Sequence, residues 1–161
     1  MSEGYMFQDG LDDHCMVAAL VITEIGLNPH TKHHIRSAVR EATLKVTPNR
    51  GSSKDKATFM SKSALEKMLD GNKDRLVLEH VVPVSYINEL VLNEAEPTWQ
   101  KIREIVIEWA LLAVITKRED RRLKDLKLYQ RMPSEWDGVD KFARYKLGGI
   151  ARGPGSGLSL P

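Results

Sequence analysis

Cysteine is nearly missing: Cys15 is the only one in 161 residues. An intramolecular disulfide is therefore excluded, and so is a zinc site built from cysteines alone. The opening stretch, Met1 to Gly10, lacks the basic-then-apolar order of a signal peptide. No uninterrupted apolar run approaches the roughly 20 residues of a membrane helix. An excess of one charge is missing too. Lysine and arginine number 24 against 22 acidic residues, which leaves a net charge of +2. So small an imbalance does not by itself imply a nucleic-acid partner, and the local distribution of charge matters more. Internal repeats are absent. Together these absences point to the cytoplasm and to a protein without a membrane partner.

What is present is globular composition, 42% hydrophobic and 29% charged, which is enough for a packed core. Leu11 to Ile25 is apolar at helical spacing and stops at Gly26 and Asn28-Pro29. Thr31 to Val46 predicts a second helix, with Ile35, Ala38, Val39, Ala42 and Val46 on one face. The two would form a helical hairpin. The polar, turn-rich segment Thr47 to Lys54 is expected to be a linker. A short helix is expected over Ser63 to Leu69. Leu76-Val77-Leu78 is a β-type run ending at Glu79-His80-Val81-Val82-Pro83, where proline marks the exit from the strand. Ser85 to Leu92 predicts a helix. Thr98 to Leu112 predicts a long one, with Thr98 as N-cap and Trp99, Ile102, Ile105, Val106, Trp109 and Leu112 as its buried stripe. Ala113 to Ile115 would be a second strand. Thr116-Lys117-Arg118-Glu119 fits a capping box for a helix from Lys117 to about Leu126. A short segment, Phe142 to Leu147, precedes a glycine- and proline-rich end. The expected divisions are 1–54 for the N-terminal helical region and linker, 55–150 for the main domain, and 151–161 for a flexible tail. The expected class is α+β, predominantly helical.

Glu79-His80 is the pair most able to carry chemistry. A carboxylate and an imidazole side by side at a strand end can divide labour. The carboxylate can hold a divalent metal, with oxygen preferred by magnesium or manganese. The histidine can take a proton from an attacking water, and the metal can stabilise phosphate charge. An unperturbed histidine, near 6.5, is suited to that task. A carboxylate neighbour would raise this value and a bound cation would lower it. A bland alternative stands beside this: a Glu-His pair can simply sit at a strand edge. Lys117, Arg118, Arg121, Arg122, Lys124, Lys127 and Arg131 form a basic stretch that, taken by itself, reads as a solvated helix face with local ion pairs. Its place in the chain recommends Arg118, Arg121 and Arg122 as contacts to a nucleic-acid backbone. His30, His33 and His34, together with His14, could present imidazoles to a metal. Exposed polar residues at a helix start explain them better, because no carboxylate or cysteine partner is evident.

Val77-Leu78-Glu79-His80-Val81-Val82-Pro83 resembles the first block of HNH nucleases, in which Asp-His or Glu-His is followed by apolar residues and a proline. Val114 to Leu123 is similar to that family's following strand-helix step. Met132-Pro133, Trp136 and Ala143-Arg144-Tyr145 resemble an ending found in some HNH-like bacterial and phage proteins. The resemblance covers about Leu76 to Ile150. It implies a ββα-metal-like core after the N-terminal hairpin, with a long helix inserted between the strands. It implies a metal-dependent endonuclease, with His80 as general base and Glu79 and Asp120 as metal ligands. Asp120 stands where the family usually has His or Asn. Asn88 and Asn93 are the available counterparts of the central asparagine. The implied cofactor is magnesium or manganese, and the implied partner is nucleic acid, DNA ahead of RNA. The alternative is a non-catalytic helical adaptor or inhibitor, of phage or mobile-element origin, with a degenerate HNH-like core. The N-terminal hairpin is left to either homodimerisation or substrate recognition.

Overall fold

Apolar periodicity becomes helix wherever a cap or a breaker sets its ends. A computed structural model describes residues 10–46, 57–71 and 76–154. The fold is α+β and predominantly helical, as expected. The first helix, α1 (Leu11–Leu20), runs into a π-helical turn, Val21–Ile25, which Gly26 ends at φ 82°. The second, α2 (Pro29–Lys45), starts two residues before the expected Thr31. The Asn28 side chain accepts the amides of His30 and Thr31, and the Thr31 hydroxyl accepts the Asn28 amide at 2.8 Å. With Asn28 as N-cap and Pro29 at the first position, this dipeptide begins the second helix. The expected linker 47–54 lies outside the described residues.

A two-residue strand follows, β1 (Phe59–Met60), which periodicity does not reveal because it is too short to alternate. Then come α3 (Lys62–Leu69), β2 (Leu76–His80), α4 (Val84–Leu92), α5 (Trp99–Trp109), β3 (Leu112–Thr116), α6 (Lys117–Asp125) and α7 (Ala143–Leu147). The long helix is shorter than expected at its C-terminal end. Leu112 belongs to β3, whose five residues are all buried. The sheet order is β1-β3-β2, with β1 parallel and β2 antiparallel to the central strand. Along β3, Ala113 and Ile115 face one core while Val114 faces a second one beside α3, as strand alternation requires. The expected order of strand, inserted helix, strand and helix is present, with two helices in the insertion and the second strand antiparallel to the first.

The helical hairpin shares one apolar core with the inserted helices. Leu11, Ala18, Ile35 and Val39 pack with Ile87, Val91, Ile102 and Val106, across the expected boundary at residue 54. A second core joins the sheet to α6 and α7 through Phe59, Ile115, Leu123, Leu128 and Tyr145. Of the expected tail, 155–161 lies outside the described residues, and 151–153 makes backbone contacts. The Lys62 amide donates to Ala151 at 2.8 Å, Gly153 donates to Met60 at 2.9 Å, and Ser61 bridges Arg152. These backbone bonds hold 151–153 against β1. No helix among the described residues is long and apolar enough to cross a membrane.

Candidate functional site

β2 delivers Glu79 and His80 to an open cleft of about 670 Å³ between α2, α4 and α6. Asp120 lines the same cleft. Its place is set by the capping box of α6. The Thr116 hydroxyl accepts the Glu119 amide at 3.2 Å, and Glu119 Oε2 accepts the Thr116 amide at 2.8 Å and the Ser61 hydroxyl at 2.7 Å. Glu119 is thus committed to the cap, whereas Asp120 lines the cleft and pairs with Lys124 at 2.7 Å.

Glu79 is buried and held by two neighbours on α7. Arg144 Nη2 meets its Oε2 at 2.5 Å, and the Tyr145 hydroxyl donates to the same oxygen at 3.1 Å. The Arg144 guanidinium also donates to the carbonyls of Val81 (2.7 Å), Leu128 (2.9 Å), Tyr129 (3.4 Å) and His80. One fully buried arginine therefore ties the end of β2 to the segment after α6. Burial raises the Glu79 pKa, opposed by the Arg144 charge and by the bonds from Arg144 and Tyr145; the nearby charge of Asp120 raises it further. Tyr145 is pushed well above its ordinary value, chiefly by burial and then by the Glu79 charge, so it remains a protonated donor.

His80 differs from the expectation. Its pKa is lowered to about 4, first by burial and then by the charges of Arg144 and Arg40. The Glu79 carboxylate, expected to raise it, is paired with Arg144 and is not among the groups that act on the ring. The ring is therefore neutral at ordinary pH. Its Nε2 lies 2.9 Å from the Thr43 hydroxyl, which donates its own proton to the Arg40 carbonyl at 2.6 Å. Thr43 must then accept from Nε2–H, which leaves Nδ1 as the basic nitrogen.

The cleft's arginines are not the expected ones. Arg118, Arg121 and Arg122 are exposed on α6, and none of them lines it. Arg36 and Arg40 do, from α2. The signal for them was present as i, i+4 spacing on the helix face opposite Ile35, Val39 and Ala42, but α2 is far from Glu79 in sequence. Asn88, one of the two asparagines considered, also lines the cleft, whereas Asn93 does not. His30, His33 and His34 are exposed. Among the described residues no group of three or more His, Cys, Asp or Glu could hold a metal ion. Three carboxylates line the cleft: Glu79 and Asp120, and Glu89, which is exposed on α4. No protein-family model, curated protein or solved structure matches the chain.

Proposed function

We propose that this protein is a metal-dependent nuclease of HNH-like type, hydrolysing phosphodiester bonds of nucleic acid, DNA ahead of RNA. The observation that carries the reading is the convergence of Glu79, His80 and Asp120 on one cleft, although β2 and α6 lie far apart in sequence. Two carboxylates fit a magnesium or manganese ion, which commonly takes one or two and completes its shell with water and substrate oxygens. Glu79 and Asp120 would hold it. The described bonds to each carboxylate fall on a single oxygen, Oε2 of Glu79 and Oδ2 of Asp120. Arg144 and Tyr145 then orient Glu79, as hydrogen-bond partners of metal-binding carboxylates commonly do. When bound, the ion would supply charge stabilisation for the phosphate and the departing oxygen.

His80 supplies the base. Its neutral Nδ1 accepts a proton from water as the water oxygen bonds to phosphorus and the ester P–O bond breaks. The leaving oxygen takes a proton from solvent. Thr43 holds the tautomer this requires.

A second reading, the non-catalytic adaptor or inhibitor with a degenerate core, draws on the Glu79–Arg144 pair, because that carboxylate already has a cationic partner. One experiment separates the two. Purified protein is incubated with plasmid DNA and with RNA, in magnesium and in manganese. The nuclease cuts, and His80→Ala lowers the rate by roughly two orders of magnitude or more with folding intact. A well-folded wild-type protein that leaves both substrates whole in both ions rejects the enzyme.

A further inference from the structure

Arg36 and Arg40 sit one turn apart on the exposed face of α2, about 6 Å along the axis, and both line the cleft. No described ion pair involves either guanidinium. Lys124, the cleft's other cation, is paired with Asp120, and Arg144 with Glu79. The unpaired positive charge of the cleft therefore stands on α2. That charge reaches the centre, since Arg40 is one of the groups acting on His80. Thr43, which fixes the His80 ring, follows Arg40 by one turn on the same helix.

A second observation points to a ligand in the cleft. Asn88 is 8% exposed and lines the cleft, and its Oδ1 is buried without a hydrogen-bond partner among the described residues. A buried acceptor in that state carries a desolvation cost. A bound strand, or the water carried with it, offers the donor that would remove this cost.

We propose that α2 is the substrate-gripping wall of the site: Arg36 and Arg40 each take a phosphate of a nucleic-acid strand lying along the cleft. The proposal rests on the nucleic-acid reading of the cleft. It assigns the helical hairpin to substrate binding, and it replaces Arg118, Arg121 and Arg122 of α6 as the principal phosphate contacts. Arginine suits this work because its guanidinium fork matches phosphate oxygens.

The test is fluorescence anisotropy with labelled single-stranded and duplex oligonucleotides, DNA and RNA, in EDTA so that nothing is cut. Arg36→Gln/Arg40→Gln should weaken binding at least tenfold at low salt. It should also flatten the dependence of log K on log salt by about 1.4 for single strands, or about 1.8 for duplex DNA. Arg118→Gln/Arg121→Gln/Arg122→Gln should lose less affinity than this double variant. The DNA and RNA arms, single and double stranded, identify which backbone is held. All these side chains are exposed, so the variants are expected to fold, and thermal denaturation checks it. The proposal is overturned if the double variant binds like wild type or if the α6 triple variant loses more. If the double variant still cuts with wild-type KM, the clamp is wrong and the nuclease reading stands. Binding that depends on Arg36 and Arg40 without cutting in magnesium or manganese leaves the clamp and removes the nuclease. A wild-type protein that binds none of the oligonucleotides removes both.

Discussion

The helical region and the sheet region each contain a buried or part-buried arginine–carboxylate pair. In the helical region, Asp12 of α1 meets Arg103 of α5 at 2.7 Å, and the arginine side chain keeps 17% of its surface in water. In the sheet region, Glu79 meets Arg144 at 2.5 Å, and the arginine keeps none. The first pair fastens two helices whose apolar faces already hold them together. The second ties a strand end, the segment after α6 and α7 to one another, and it borders the cleft. A partly wet ion pair adds little to packing, whereas a dry one makes its surroundings depend on both partners being present. The comparison teaches where the site's rigidity comes from: the Arg144 hub of the sheet region, with α2 of the helical region adding the ring contact from Thr43.

The largest test of that contrast removes the arginines. Arg144→Ala should destabilise the protein by about 3–5 kcal/mol, because it leaves a buried carboxylate and several carbonyls without a donor. Arg103→Ala should cost about 1.5–3 kcal/mol, the range of a hydrogen bond to a charged group. Urea denaturation measures both. Equal losses would mean that the two pairs do the same work.

Acid tests the cleft next. His80 is held near 4 in the fold and lies near 6.5 when unfolded. Between those values the unfolded chain binds the extra proton, so stability must fall as pH drops from about 6.5 towards 4. The contribution is roughly 3 kcal/mol across the window, and His80→Gln should lack it. Denaturation of the two proteins from pH 8 to pH 4 gives the difference. Parallel curves would mean that His80 titrates normally and is not desolvated. Activity, if His80 is the base, should hold steady above the window and fall only near pH 4.

Thr43→Val should have the smallest effect, about 1–2 kcal/mol for its two lost hydrogen bonds, to His80 and to the Arg40 carbonyl. Its sharper readout is the His80 ring. Nitrogen NMR should find Nε2 protonated in wild type and both tautomers in the variant. An unchanged tautomer would show that something other than α2 sets the ring.

Much of the fold is legible because helices here are specified locally. Asn28-Pro29, Thr98 and the Thr116–Glu119 box fix helix starts through neighbouring residues, and apolar spacing marks each buried face. β1 is not legible, since two residues have no period and Phe59-Met60 becomes a strand only by pairing with Ala113 and Val114. The C-terminal end of α5 is set in the same way, by the recruitment of Leu112 into the sheet.

Within the site, Glu79-His80 stands out in the chain because a strand and a proline frame it. The Ala143-Arg144-Tyr145 segment is equally visible, but nothing local says that Arg144 closes on Glu79 across 65 residues. Sequence alone fixed which side chains could donate, accept or carry charge, and which helices would form, because those are properties of residues and near neighbours. Only the tertiary structure decided that Glu79 would have a guanidinium for a partner and that His80 would be neutral. It likewise decided that the arginines lining the cleft would come from α2 and not α6. Each of those outcomes depends on burial and on charges brought within reach by packing, and neither exists until distant segments share one core.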